Sequence, residues 1–178
     1  MRTLTIEKTV YNHSDLLLPE NKHILEKIVS NWNDDYYYIW NEAHESVKGF
    51  HKFFGNITKE GNRNWLDYSL YVSDFEEELK GKDLKEWFLE NFNQNEIFEC
   101  CPLTSVWYDE TLLTPFRSFL LETYKDFENT TLGILFDDAF SSLSKCIYDE
   151  IEYRNNEEAI LETICANAYE YDEDGKLM

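Results

Sequence analysis

Apolar residues recur at spacings of three and four along most of the chain, a period that predicts amphipathic helices rather than strands. The predicted helices cover approximately residues 19–30, 34–54, 74–92, 112–127, 132–152 and 156–167. Pro19 suits the first turn of the first helix. Asp74 is a candidate cap for the third, and Gly81 is expected to interrupt it.

Two shorter segments alternate apolar and polar residues, the pattern of half-buried strands. They are residues 3–10 and 65–72, and we expect them to pair antiparallel. Residues 12–15 are predicted to form a loop, and residues 58–64 a turn around Gly61. The tail from Tyr169 is predicted to be a strand, or a hairpin turning at Asp174 and Gly175.

Together these elements predict a helix-rich α+β fold, a single domain over residues 1–178 with a small antiparallel sheet. The chain has 178 residues, of which 43% are apolar, and it contains 5 Trp, 12 Tyr and 12 Phe. Disordered acidic chains lack such residues, so we expect a folded protein with a real core.

The formal net charge is −20, and it is concentrated after residue 64. Residues 1–64 hold nine acidic and eight basic side chains, whereas residues 65–178 hold twenty-seven and eight. The acidic helical part is residues 131–178. Such a surface repels nucleic acids and anionic membranes and attracts basic proteins, including those that hold DNA or RNA in a basic groove.

The four cysteines predict neither a disulfide framework nor a C-x-x-C site, since only Cys100 and Cys101 are neighbours. No apolar run reaches the roughly 18 residues of a membrane span. We therefore expect a cytoplasmic protein with reduced thiols. Buried inert thiols are the favoured interpretation of Cys100 and Cys101; a reactive pair is the alternative.

No residue pattern predicts catalysis. His44 and His51 share a helix face, but a third metal ligand at a useful spacing is missing. Acidic pairs such as Asp137 and Asp138 arise from composition alone in so acidic a chain, and the glycines are too scattered to cradle a phosphate. We predict a non-enzymatic protein without a metal or other cofactor.

The aromatic run between Trp32 and Trp40 has three interpretations. Core packing with Tyr37 and Tyr38 at the rim is favoured. Base stacking is disfavoured, because Asp34 and Asp35 flank the run where nucleic-acid platforms carry Lys or Arg. A protein-contact patch is the remaining interpretation.

Carboxylates at helical spacings of three and four lie roughly 5–6 Å apart, a repeat comparable to that of DNA phosphates. The acidic helices therefore suit either a basic protein partner or a plain solvated surface. The residues predicted to contact a partner are Asp137, Asp138, Asp149, Glu150, Glu152, Glu157, Glu158 and Glu162, with Tyr37 and Tyr38.

Several short motifs also resemble a known family. They are Glu7-Lys8-Thr9-Val10-Tyr11, residues 33–40, Cys101-Pro102-Leu103-Thr104, Tyr108-Asp109-Glu110 with Leu112-Leu113, Tyr153-Arg154, Glu157-Glu158-Ala159-Ile160, Ala166-Asn167-Ala168-Tyr169-Glu170-Tyr171 and Glu173-Asp174-Gly175. The chain resembles small acidic proteins of phages and other mobile elements, labelled antitoxin-like after toxin–antitoxin stability systems. It departs from them at residues 64–71, where a Gly- and Trp-rich G-F-W-S-Q-G-D-G-like strand is expected.

The resemblance implies a mobile-element setting, in which small acidic proteins block host nucleases. The sequence thus predicts a counter-defence inhibitor, anti-CRISPR or anti-restriction, that occupies the basic nucleic-acid groove of a CRISPR effector or restriction nuclease as a DNA mimic. It is not expected to bind nucleic acid or membrane directly. The alternative is an antitoxin or immunity protein that neutralises a cognate basic toxin. An enzyme is the third hypothesis, supported only by the scattered His and Cys residues.

Overall fold

A computed structural model describes residues 9–32, 36–60, 65–99, 103–104 and 107–178. It confirms a helix-rich α+β fold with a small two-stranded antiparallel sheet. The helices are α1 (His13–Leu16), α2 (Lys22–Asn31), α3 (Tyr37–Phe53), α4 (Asp74–Glu78), α5 (Gly81–Asn91), α6 (Gln94–Phe98), α7 (Tyr108–Leu120), α8 (Leu132–Arg154) and α9 (Glu157–Asn167).

The last two helices lie within two residues of their predicted bounds. Helix α7 is displaced from its prediction, since it begins at Tyr108 and ends at Leu120 rather than at residue 127. It ends early because Glu122 and Asp126 have positive φ angles of 57° and 54°, which no α-helix accommodates.

Two further predictions are corrected at helix ends. Residues 13–16 form a helical turn, not a loop, because Asn12 and Asp15 cap it reciprocally. Ser73, not Asp74, caps α4, since its hydroxyl accepts the Glu76 N–H. The predicted break at Gly81 is confirmed by its φ of +50° and by the start of α5 there.

The sheet pairs β1 (Thr58–Glu60) with β2 (Tyr68–Leu70) in antiparallel register, with Lys59 opposite Ser69. The strand predicted at residues 65–72 is confirmed at its centre. The turn predicted over residues 58–64 is wrong at 58–60, which lie in β1, and its centre around Gly61 lies outside the described residues. The strand predicted at residues 3–10 lies outside the described residues except for its last two positions.

The chain divides into two compact units. The central unit comprises residues 36–148, and the terminal unit comprises residues 1–35 and 149–178. Helix α8 runs through the boundary between them in sequence. The prediction of a single domain stays a prediction.

The core of the central unit is a cluster of phenylalanine rings. Phe54 stands at its centre, with ring centroids 4.6 Å from Phe50, 4.8 Å from Phe116 and 5.2 Å from Phe136. All four side chains are at most 1% exposed. Helix α3 supplies or adjoins two of these rings and packs against α7.

The core of the terminal unit is smaller and mainly aliphatic: Leu16, Ile24, Ile28, Ile160, Ile164 and Tyr171. Backbone pairing joins its two segments, since Tyr11 and Tyr171 exchange N–H···O bonds of 2.8 and 3.0 Å. The tail then turns at Asp174 and Gly175 as one predicted alternative had it, and Asp172 N–H donates to the Lys176 carbonyl at 3.0 Å.

Candidate functional site

The acidic residues of the terminal unit are mostly exposed. Residues 149–178 hold ten acidic side chains and two basic ones. Glu150 is half-buried, and its Oε1 accepts the Arg154 Nε–H at 2.7 Å. Glu152, Glu157 and Glu158 are exposed and form no ion pair with any described residue. Their negative charge is therefore left to solvent or to a partner.

Helix α9 positions three of the predicted contact residues. Asn156 caps it by accepting the Ala159 N–H at 2.8 Å, so that Glu157 and Glu158 fall in the first turn. Carboxylates are favoured there by the positive end of the helix dipole. Ala159, Ile160 and Ile164 face the core, as predicted, and Glu162 stays exposed.

Glu162 and Asp149 are two other exposed acids of the terminal unit. The Tyr153 hydroxyl lies 3.5 Å from Glu162 Oε2, so that this carboxylate has a neutral donor rather than a cation beside it. Asp149 is exposed at the start of the terminal unit's second segment. The predicted acidic surface therefore keeps most of its charge within residues 149–162.

In the central unit, Asp137 is held by a tyrosine. The Tyr68 hydroxyl from β2 donates to Asp137 Oδ1 at 2.7 Å, and it lies 3.2 Å from the Gly133 carbonyl. Burial, with the neighbouring Asp137 carboxylate, raises the pKa of Tyr68 far above its usual value. The phenol therefore stays protonated and fixes an exposed carboxylate at a defined position.

Asp138 has a different environment. It is half-buried, its Oδ2 accepts the Tyr124 O–H, and Lys125 Nζ lies 3.1 Å away. The hydrogen bond from Tyr124, with the Lys125 charge, lowers the pKa of Asp138 against an opposing effect of burial. Asp138 is thus engaged within the protein and has less charge to offer a partner than Asp137.

Asp137 also lines an open cleft of about 760 Å³ in the central unit. Two further carboxylates, Asp67 and Glu77, line the same cleft, together with Ser141, Ser144 and Tyr148 among others, and none of its described lining residues is basic. Sequence reasoning missed Asp67 and Glu77 because about 60–70 residues separate them from Asp137. The outward position of Asp67 just before β2 was the available signal.

The predicted tyrosine rim begins α3. Tyr37 is 71% exposed and Tyr38 39% exposed, whereas the next residue, Ile39, is buried. Trp40 packs edge-on against Trp65 and Tyr148, with centroids 6.1 and 5.9 Å apart. The flanking Asp34 and Asp35 lie outside the described residues.

The ten predicted contact residues therefore fall into two sets. Six belong to the terminal unit: Asp149, Glu150, Glu152, Glu157, Glu158 and Glu162. Four belong to the central unit: Tyr37, Tyr38, Asp137 and Asp138. Of the second set, the structure places Asp137 in a cleft with other acids and ties Asp138 to Tyr124.

The histidines face hydrogen-bond partners. His44 Nε2 lies 3.3 Å from Glu60 Oε1, and His51 Nδ1 lies 3.1 Å from Thr58 Oγ1. Burial lowers the pKa of His51. Within the described ranges, His, Cys, Asp and Glu form no group of three that could hold a metal ion. Cys100 and Cys101 lie outside those ranges.

Among the helices of the described part, none is long and apolar enough to span a membrane. In comparisons with known proteins, the chain matches no family model, and neither a curated protein nor a solved structure shows significant similarity to it. The resemblance to antitoxin-like mobile-element proteins thus stays a prediction.

Proposed function

We propose that this protein is a non-enzymatic inhibitor that binds a basic nucleic-acid-binding protein and occupies its groove as a DNA mimic. The target class is a bacterial defence nuclease, such as a CRISPR effector or restriction enzyme. The observation that carries the proposal is the excess of ten acidic over two basic side chains in residues 149–178, where Glu152, Glu157 and Glu158 are exposed and pair with no described cation.

Self-repulsion within such a surface destabilises the folded state, and a partner of opposite charge relieves that repulsion. The spacing on α9 supports a phosphate-like role. Glu158 and Glu162 are four residues apart, about 6 Å along the helix axis. Adjacent phosphates of one DNA strand rise by about 3.4 Å along the axis and also wind around it, so that they stand roughly 6–7 Å apart. Basic side chains arranged for phosphates therefore meet carboxylates at a similar interval.

The cleft of the central unit supports the same kind of partner. Asp137, Asp67 and Glu77 offer acceptors to a guanidinium or ammonium group, and Tyr148 offers a ring face. The Tyr68 hydroxyl holds Asp137 in place before any partner arrives. A preoriented carboxylate loses less entropy on pairing than a mobile one.

The test begins with affinity capture from bacterial lysate, with elution at rising salt and identification of what elutes. The captured protein is then purified and its binding measured with and without a DNA duplex. We expect a nucleic-acid-binding protein whose affinity for this chain falls with salt and whose DNA binding is blocked by it. A captured protein that binds this chain and DNA at the same time, or whose affinity for this chain does not change with salt, would contradict the proposal.

The decisive variant replaces Glu157, Glu158 and Glu162 with glutamine. Each exposed pair is worth about 0.2–1 kcal/mol, so the triple variant should lose up to about a hundredfold in affinity, mainly in association rate. The matched control is Asp83→Asn with Glu86→Gln and Glu90→Gln, three exposed acids of α5 with the same charge change. If both variants lose the same affinity, the effect comes from net charge and not from the position of the glutamates on α9.

The same experiment separates the antitoxin alternative. The captured protein could instead be a toxin without a nucleic-acid groove that elutes at high salt and is inhibited by this chain. That result would support the acidic surface as the binding site and contradict the proposal of DNA mimicry.

A further inference from the structure

A pocket of about 580 Å³ lies within the terminal unit, between α2, α9 and the tail. Its lining is apolar and aromatic on most sides: Ile28, Trp32, Tyr169, Tyr171 and Leu177, with Asn31, Thr163, Gly175 and Lys176. This size and this mixture, mainly apolar walls with a few polar groups, are typical of small-molecule sites.

The pocket is pre-formed by close packing of the tail on α2. A Cβ added at Gly175 would stand 3.1 Å from the Ile28 backbone nitrogen, a tight contact, and the φ of +73° at this position favours glycine. Lys27 Nζ donates to the Glu173 carbonyl at 2.8 Å and ties the same two segments together. The walls are therefore fixed without a ligand.

Three donor side chains of the pocket, those of Trp32, Asn31 and Lys176, donate to no described residue. Trp32 Nε1 is buried, and no described residue accepts its hydrogen. The Asn31 amide and the Lys176 ammonium likewise have no acceptor among the described residues, whereas the Thr163 hydroxyl donates to the Ala159 carbonyl at 2.9 Å. A buried N–H left unpaired is costly, because it has lost water and gained no partner.

Charge also distinguishes the pocket from its surroundings. Residues 149–178 carry ten acidic side chains, yet none of the described lining residues is acidic and one is a lysine. In the most acidic part of the chain, the pocket is a local site for a negative or electron-rich group.

We propose that this pocket binds a small molecule with a flat apolar body and a carboxylate. The flat body lies among Trp32, Tyr169 and Tyr171. The carboxylate meets Lys176 and Asn31, and a small tilt of the Trp32 ring brings its shielded N–H to the same acceptor. The site is independent of the acidic partner surface, so either proposal stands if the other fails.

The experiment is a titration of the ¹⁵N-labelled protein followed through its indole N–H signals, with Trp32 assigned from a Trp32→Phe spectrum. Three probes share one ring system: indole-3-acetate, indole-3-acetamide and 3-methylindole. We expect the Trp32 signal to move downfield and saturate, with the acetate tightest, the amide next and 3-methylindole weakest. No movement at millimolar probe, or equal affinity for all three, overturns the proposal.

Lys176→Gln tests the carboxylate contact. It should weaken the binding of indole-3-acetate by about threefold, as expected of an exposed ion pair, and leave the affinity for indole-3-acetamide unchanged. Lys22→Gln is the matched control, an exposed lysine of the same unit outside the pocket lining. If both variants weaken the acetate equally, the carboxylate does not bind at Lys176 and the assignment is wrong.

Discussion

The cores of the two units are built from different types of side chain. In the central unit, rings from α3, α5, α7 and α8 meet around Phe54, which contacts Phe50, Phe88, Phe92, Phe116 and Phe136. In the terminal unit, a few isoleucines and leucines pack beneath a tyrosine, and backbone bonds between Tyr11 and Tyr171 join the two segments.

This difference indicates where each unit derives its stability. A large aromatic side chain buries 150–250 Å² and gains further from edge-on ring contacts. The central core therefore depends on side chains. The terminal core is smaller, so the geometry of the Asp172–Lys176 turn and the pairing at residue 171 carry a larger share of its stability.

Phe54→Ala should have the largest effect. It removes a side chain that is 1% exposed and leaves a cavity among five rings, a loss of about 3–5 kcal/mol in the free energy of unfolding. The measurement is chemical denaturation. Phe75→Ala, the same change at a residue 71% exposed, is the control and should cost less than about 0.5 kcal/mol. Similar losses at both positions would contradict the ring-centred core.

Ile164→Ala should rank second. It removes a fully buried aliphatic side chain of α9, and we expect a loss of about 2–4 kcal/mol. Hydrogen exchange resolved by residue sharpens the comparison: protection should fall most in α2 and α9, and least in α3 and α7. If α3 and α7 lose protection equally, the two units unfold as one.

Gly175→Ala probes the backbone closure of the terminal unit. The residue has a φ of +73°, which costs an L-side chain about 1–2 kcal/mol. Gly133→Ala in α8 is the opposite case, because nothing lies closer than 3.8 Å to its added Cβ and alanine favours helix. Thermal unfolding should show a loss for the first and a gain of up to about 1 kcal/mol for the second.

The smallest expected effect is pH-dependent. Tyr124→Phe removes the hydrogen bond that lowers the pKa of Asp138, and should cost about 1 kcal/mol at pH 7. A lowered carboxyl pKa stabilises the folded state above the unfolded value, near 4, and that stabilisation is lost as the pH falls through the folded value. Denaturation at pH 7 and pH 3 should therefore show a smaller difference in stability between the variant and the original protein at pH 3 than at pH 7.

Helices with long periodic patterns and local caps were predictable from sequence. In α9, Asn156 is a typical N-cap residue, and the apolar spacing of Ala159, Ile160 and Ile164 indicates which side is buried. Strand β1 could not be predicted from sequence, because Thr-Lys-Glu has no apolar alternation. These residues form a strand only through their pairing with Tyr68–Leu70.

The candidate site was predictable only in composition. Sequence reasoning identified Asp137 by its charge, but the Tyr68 hydroxyl that holds it is 69 residues away. Asp109 was missed as a buried acid for the same reason: its carboxylate accepts the backbone N–H groups of Leu103 and Thr104 at 2.9 and 2.7 Å, in a segment with no regular pattern. Long-range polar contacts leave no periodic trace.

The pairing of Tyr11 with Tyr171 has a consequence for synthesis on the ribosome. The first segment of the terminal unit leaves the exit tunnel long before its partner is translated, and 160 residues separate the two tyrosines. At translation rates of about 5–20 residues per second, that interval is about 8–30 seconds. During this time Ile24 and Ile28 have no partners from α9, so these side chains stay available to chaperones until α9 and Tyr171 have been translated.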